Sequence, residues 1–161
     1  MKISKPALLL EVKKELERQL GVSTAAATSA IEGATHAESR AENDKDTRGL
    51  EQSYLARGQA ARVAELKRSL ETLKTFTPKA FKADQPIVAL ALAEIELDGT
   101  PMLIFLAPLG GGLKVTVAKQ DVHIITPQSP LGSALLGRTA GESVEFHSAR
   151  KLSEARVVSV A

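Results

Sequence analysis

At Thr77-Pro78 the composition of the chain changes abruptly. Residues before it are rich in Ala, Glu, Lys, Arg and Leu, and residues after it are rich in Val, Ile, Gly and Pro. The first set favours helix and the second favours strands and turns, so one uniform fold class is excluded and a helical half followed by a β-rich half is predicted. Residues 78–86 contain Pro78 and Pro86 and show no apolar period, and each proline biases its predecessor away from the α region. The expected organisation is a helical arm over 1–77, a linker over 78–86 and a small globular domain over 87–161, an α+β chain.

Within the arm, Leu9, Val12, Leu16 and Leu20 step by three and four, and Val63, Leu66, Leu70 and Leu73 do the same. Two facing stripes of this spacing predict an antiparallel coiled-coil hairpin. Between them Ala25, Ala26, Ala27, Ala30, Ile31 and Ala34 give a small-residue face that still favours helix. Residues 38–46 are almost wholly polar, which places a hydrophilic, acidic tip at the far end. Gly21 and Gly33 each weaken the first helix by about 1 kcal/mol relative to Ala, enough for a local kink or break. An arm of about thirty residues at ~1.5 Å each projects ~45 Å, which suggests reach. A dimerising coiled coil with a solvated turn is the plainer alternative.

In the second half, the apolar run from Pro86 to Leu97 leads through Asp98-Gly99, a hairpin dipeptide, into Met102 to Leu106. Gly110-Gly111-Gly112 marks a loop. Leu113 to Val117 and Val122 to Ile125 read as further strands, and Val144 to His147 with Arg156 to Val160 as a last hairpin. Their sum is a small twisted antiparallel sheet. One short helix fits between them, with Ser129 as N-cap, Pro130 in the first helical position and Gly137 terminating, so that Leu131, Leu135 and Leu136 cover one face of the sheet.

Composition removes several function classes. With no cysteine among 161 residues, disulfides, thiolate nucleophiles and Cys-ligated metals are excluded. An apolar content of 43% with 25% charged residues is that of a folded soluble protein. No run approaches the ~20 apolar residues a membrane span needs, and Lys2 and Lys5 are not followed by a secretory apolar region, so a cytoplasmic protein that does not engage a membrane is expected. The net charge of +2 is too small to argue for a duplex-binding face.

The stretch Thr126-Pro127-Gln128-Ser129-Pro130-Leu131-Gly132-Ser133-Ala134-Leu135-Leu136-Gly137, followed by Gly141-Glu142-Ser143-Val144-Glu145, closely resembles the C-terminal signature of the Gre transcript-cleavage factors, SPLGxALLG and then GDxVE. Ala30-Ile31-Glu32-Gly33-Ala34-Thr35-His36-Ala37-Glu38-Ser39-Arg40-Ala41-Glu42-Asn43 aligns without a gap to that family's arm tip, and Glu51-Gln52 falls where its second helix carries the same pair. The resemblance implies a transcription elongation factor of DNA-templated transcription, monomeric, with a C-terminal domain of FKBP-like fold that docks at the rim of bacterial RNA polymerase. It also implies DNA-binding as a family keyword, and that the arm enters the secondary channel and meets the 3′ end of the nascent RNA. The docking region it points to is Ser129, Pro130, Leu131, Gly132, Leu135, Leu136 and Gly137.

What the resemblance implies for the tip is accessory chemistry, not an enzyme in its own right. Tip carboxylates help the polymerase hold a second Mg²⁺ and an attacking water, and the factor has no cofactor of its own. Hard oxygen ligands suit Mg²⁺, which lowers the pKa of its water and steadies the leaving oxygen. The family's cleavage-competent tip has an Asp three residues before a Glu; here the Glu is Glu42 and the Asp position holds Ser39. Glu38 and Glu42, four apart, share a helical face and are the best-matched acid pair. Asp44 and Asp46 are reserves. Arg40, Lys45 and Arg48, with Arg57 and Arg62, make the arm partly basic and suited to RNA phosphates. His36, alone near a helix end, reads as a cap or surface residue. An FKBP-like domain raises prolyl isomerisation, but the second half offers only Phe105 and Phe146 to line a proline pocket, so that activity is not expected.

Three readings follow. The first is a factor that stimulates cleavage of backtracked RNA, the second a non-catalytic channel regulator or inhibitor whose tip lacks a working acid pair, and the third a structural hairpin adaptor that does not bind polymerase.

Overall fold

The computed structural model describes residues 3–39, 47–78, 85–148 and 151–161, with the side chains of 37–39 and 47–49 outside the description. Two compact units form. One spans residues 16–74; the other joins residues 75–161 with the first part of the N-terminal helix, up to Glu15.

Two long helices, α1 (Lys5–Ser39) and α2 (Thr47–Lys74), make the hairpin. Arg62 donates to the Gln19 amide oxygen at 2.9 Å, and Gln52 packs on Gly33, so higher numbers on one helix meet lower numbers on the other and the pair is antiparallel. Gln52, Ala56, Gln59, Val63, Leu66, Leu70 and Leu73 are shielded on α2 in a repeat of four and three, with Ser53 and Ser69 half-buried beside them. Across the same unit α1 shields Leu16, Gln19, Ser23, Ala26, Ala30 and Gly33. Both seams carry leucines far from the connecting segment and small or amide side chains near it. The expected α2 stripe is in place. On α1, Val12 and Leu16 are buried, but Leu8 takes the buried position in place of Leu9, and Leu20 is half-buried. Leu8, Val12 and Leu16 are each four apart, which keeps them on one side of the helix.

The helix does not break at Gly21 or Gly33, and α1 runs unbroken through both. At Gly33 the missing side chain has a use, because a Cβ there would collide with the Gln52 amide.

The second unit is built on six strands: β1 (Leu92–Leu97), β2 (Thr100–Leu106), β3 (Lys114–Val117), β4 (Gln120–Ile125), β5 (Ser143–His147) and β6 (Leu152–Val160). The short helix α3 (Pro130–Leu135) lies between β4 and β5 in sequence. Strand order is β3-β4-β2-β1-β6-β5. All neighbouring pairs are antiparallel except β2 and β4, which run parallel from Leu103 opposite Val122 to Leu106 opposite Ile125. The sheet is therefore mixed and not wholly antiparallel as the strand pattern suggests. The cause is the connection 107–113, with Pro108 and three glycines, which carries the chain past one strand position so that β4 returns into the gap beside β2.

Ile87, Ala93, Ile95, Ile104, Leu106, Val144, Ala155 and Val157 form one core with Leu135 of α3, and Leu131 and Ala134 pack against it. The apolar run before β1 is not all strand. Residues 86–91 bend, and the Ile87 N–H donates to the Arg138 carbonyl at 2.7 Å while the Gly137 N–H donates to the Ile87 carbonyl at 2.7 Å.

Asp98 and Gly99 take φ of 48° and 79°, the two left-handed positions of a type I′ hairpin turn, as the dipeptide predicts. The β3–β4 hairpin makes the same kind of turn with Ala118 (φ 50°) and Lys119 (φ 66°). Neither residue is suited to it, since a Cβ in the left-handed region costs roughly 1–2 kcal/mol. Replacing the pair with Asn-Gly (Ala118→Asn with Lys119→Gly) is expected to raise stability by about 1–2 kcal/mol in denaturant unfolding. An unchanged or lowered midpoint would show the turn to be unstrained.

Candidate functional site

α3 shows how the signature stretch is used. Ser129 is extended (φ −69°, ψ 153°) and its Oγ accepts from the Gly132 N–H at 3.0 Å while donating to the Thr126 carbonyl at 2.7 Å. The Ser133 N–H donates to the Ser129 carbonyl at 2.8 Å, closing the first helical bond. Pro130 occupies the first helical position, where its missing N–H costs nothing. Gly132 is buried, and a Cβ on it would run into the Thr126 carbonyl. Leu135 is fully buried in the sheet core, and Gly137 is left-handed just past the helix end. Of the expected docking residues, Ser129, Gly132 and Leu135 are thus engaged in folding, while Leu131 is half-buried. Pro130, Leu136 and Gly137 remain exposed, together with Ser133.

Leu136, the C-cap of α3, stands 46% exposed next to the fully buried Leu135. Val88, on the bend held by the Ile87 bonds to Gly137 and Arg138, is also exposed. Reading 86–97 as one strand hid Val88, and no local signal in the sequence marks the bend.

The second half of the signature is also anchored. Glu142 accepts from the Thr139 N–H at 2.6 Å, the Thr139 hydroxyl at 2.9 Å and Arg138 at 3.2 Å, and these bonds, that of the Thr139 N–H first, hold its carboxyl below the usual range. Lys151, chiefly, and the Glu154 N–H do the same for Asp98, and Lys114 and Thr116 for Asp121. A carboxylate whose folded pKa is depressed adds stability above its unfolded pKa, and that stability is lost as pH falls through the folded value. The C-terminal half is therefore expected to lose stability as pH drops below about 4, the ordinary carboxylate range. Glu142→Gln should flatten part of that loss. Denaturant midpoints at neutral and acid pH check this, and an equal acid loss in wild type and variant would refute it.

Glu38 lies in the last turn of α1 and Arg48 in the first turn of α2. Glu42, Asp44 and Asp46, with Arg40 and Lys45, lie outside the described residues. His36 is exposed in the last turn of α1. Among the described residues no group of three or more His, Asp or Glu is placed to hold a metal ion, and no helix is long and apolar enough to cross a membrane. An open groove of about 480 Å³, lined by Pro101, Met102, Gln120, Asp121 and His123 among others, opens where β2 and β4 begin before their ladder does.

No family model matches the chain, nor does any curated protein. A solved structure of the transcription factor Gfh1 aligns at 17% identity over 93% of each chain, with a TM-score of 0.40. Gfh1 of Thermus aquaticus aligns at 20% identity over 91% of this chain and 92% of that one, with a TM-score of 0.37. The transcription elongation factor GreA/GreB from Nitrosomonas europaea aligns at 20% identity over 65% of this chain and 79% of its own, with a TM-score of 0.35. Over most of its length, and at low sequence identity, the chain is thus similar to solved Gfh1 and GreA/GreB transcription factors.

Proposed function

We propose that this protein is a Gre-type transcription factor that binds bacterial RNA polymerase, places the hairpin tip in the secondary channel and stimulates cleavage of backtracked RNA. One observation carries the reading. The signature stretch, Thr126 to Gly137, lies on a capped helix whose exposed Pro130, Ser133 and Leu136 are free for a partner, in a chain whose other unit is an antiparallel hairpin ending in a polar segment. The C-terminal half supplies most of the docking in this reading, because a compact sheet domain can offer a patch of standard interface size.

At the tip, Glu42 and Glu38 are the proposed carboxylates that share an Mg²⁺ with the polymerase. The metal, when held there, activates water and steadies the leaving oxygen. This chain's residues bring the acids to that point and leave the bond-breaking centre to the polymerase. Arg40, Lys45 and Arg48 would face the RNA phosphates. Ser39, at the family's Asp position, favours a second reading, a channel-occupying regulator without cleavage activity.

The test uses the intact protein, core polymerase and a stalled, backtracked complex. Binding with faster release of short 3′ fragments supports the first reading. Binding that leaves intrinsic cleavage unchanged or slower supports the second, and no binding sinks both.

A further inference from the structure

Asp98 is the one aspartate of five that is followed by glycine. Such a pair has a chemical weak point, because glycine carries no Cβ to shield its amide nitrogen from the carboxyl group beside it. Asp98 and Gly99 are both exposed, and a Cβ added at Gly99 would meet nothing within 4 Å, so no neighbour covers that side of the turn.

The fold does hold the carboxyl group itself. Its Oδ1 accepts from the Glu154 N–H at 2.9 Å and its Oδ2 accepts from the Lys151 ammonium. The Asp98 N–H donates in return to the Glu154 carbonyl at 2.9 Å. Lys151 is fixed where β5 turns into β6, since its carbonyl accepts from the Ser148 N–H at 3.0 Å and from the Ser148 hydroxyl at 3.1 Å. Both carboxyl oxygens are thus committed to the start of β6, and the carbon between them reaches the Gly99 nitrogen only if those bonds open. Lys151 first, and then the Glu154 N–H, also keep the group ionised below the usual carboxylate range, whereas the protonated acid is the form that sheds an oxygen as water.

We propose that Asp98-Gly99 is a site of self-modification, isomerisation to a β-linked isoaspartate, which the bonds from Lys151 and Glu154 restrain in the folded protein. The Gly99 nitrogen attacks the Asp98 carboxyl carbon. A C–N bond forms, a C–O bond breaks, and the oxygen leaves as water with its own proton and the amide proton. The cyclic succinimide so formed then takes up one water. Opening at the side-chain carbonyl restores aspartate, and opening at the main-chain carbonyl leaves the chain running through the side-chain carbons with a free carboxylate as the branch. That product lengthens the backbone by one carbon inside a two-residue turn, whose length sets the pairing of Leu97 with Thr100 and of β1 with β2 beyond it. The inference does not depend on the Gre-type reading.

The full chain is kept for weeks at neutral pH, folded in buffer or unfolded in guanidinium chloride, and then digested. The isomeric peptides containing Asp98 are separated by chromatography and told apart by electron-transfer fragmentation. The unfolded chain should accumulate isoaspartate at position 98, and the folded chain should do so much more slowly. Lys151→Met should raise the folded rate several-fold, while Lys151→Arg stays near wild type because a guanidinium can donate to the same oxygen. Glu142→Gln, which loosens the same unit without touching the turn, should also stay near wild type. Equal rates in the folded and unfolded protein, or no isoaspartate at position 98 in either, overturn the proposal. So does Lys151→Met at the wild-type rate. A rise in Glu142→Gln equal to that in Lys151→Met overturns it as well, by tracing the protection to the unit as a whole and not to the bonds on Asp98.

Discussion

Gly132→Ala is expected to destabilise the C-terminal half by about 3 kcal/mol and lower its melting temperature by roughly 10 °C. The methyl group would meet the Thr126 carbonyl, with the Ser129 hydroxyl 2.9 Å away. Neither neighbour is the far end of a flexible side chain. Thr126 is fixed because its carbonyl accepts from both the Ser129 N–H and the Ser129 hydroxyl, so relief of the clash must break the N-cap of α3 as well as shift backbone. Loss of a Ser cap costs about 1 kcal/mol by itself, and overpacking against backbone costs more. α3 carries Leu135 into the sheet core, so the damage spreads beyond the loop. Gly112→Ala is the control, since its Cβ would meet nothing and only a positive φ of 85° is disturbed. Equal losses for the two variants in denaturant unfolding would show that close approach at Gly132 is not what the fold requires.

The second large effect concerns the proposed tip chemistry. If Glu42 helps hold Mg²⁺ in the polymerase, Glu42→Ala should lower stimulated cleavage by roughly 10–100-fold, the loss common when support of a metal is removed. Binding should be unaffected, because the carboxylate acts on the reaction and not on docking. Ser39→Asp is the complementary change. It restores an acid three residues before Glu42 and should raise the cleavage rate if acid geometry limits this tip. Cleavage that is absent in the natural protein and gained in Ser39→Asp would reject the catalytic reading and support the channel-occupying one. Full cleavage in Glu42→Ala would remove Glu42 from the chemistry altogether.

Features set by local chemistry were legible in the sequence. Asp98-Gly99 makes its turn because few other pairs accept two left-handed residues, and Ser129-Pro130 starts a helix because the hydroxyl caps and the ring fits. The leucine repeat of α2 likewise announced its buried side. What was not legible depends on residues distant in sequence. Nothing within β4 tells whether it pairs with β2 in parallel, since that is decided by where the 107–113 connection crosses. The Ala118-Lys119 turn carries no turn residue at all and is imposed by its flanking strands, with Lys114 paired to Asp121 and Thr116 bonded to it at 2.7 Å. Leu8 and Leu9 are equally apolar, and only packing chooses between them. For the site, the signature stretch pointed to α3, but the sequence does not separate the residues the helix needs for itself from those it leaves outward.

The uneven seam of the hairpin bears on how its backbone amides exchange with solvent. Leu16, Leu66 and Leu73 are buried at the end away from the connecting segment, whereas toward it the seam is Ala27 and Ala30 on one helix and Gln52, Ala56 and Gln59 on the other. Opening a turn against alanine and amide side chains exposes far less apolar surface than opening one against leucine. Deuterium uptake should therefore be graded along each helix, fastest beside the connecting segment and slowest around Leu16 and Leu66. A hairpin built this way can rearrange beside its connecting segment at small cost while the leucine end stays closed.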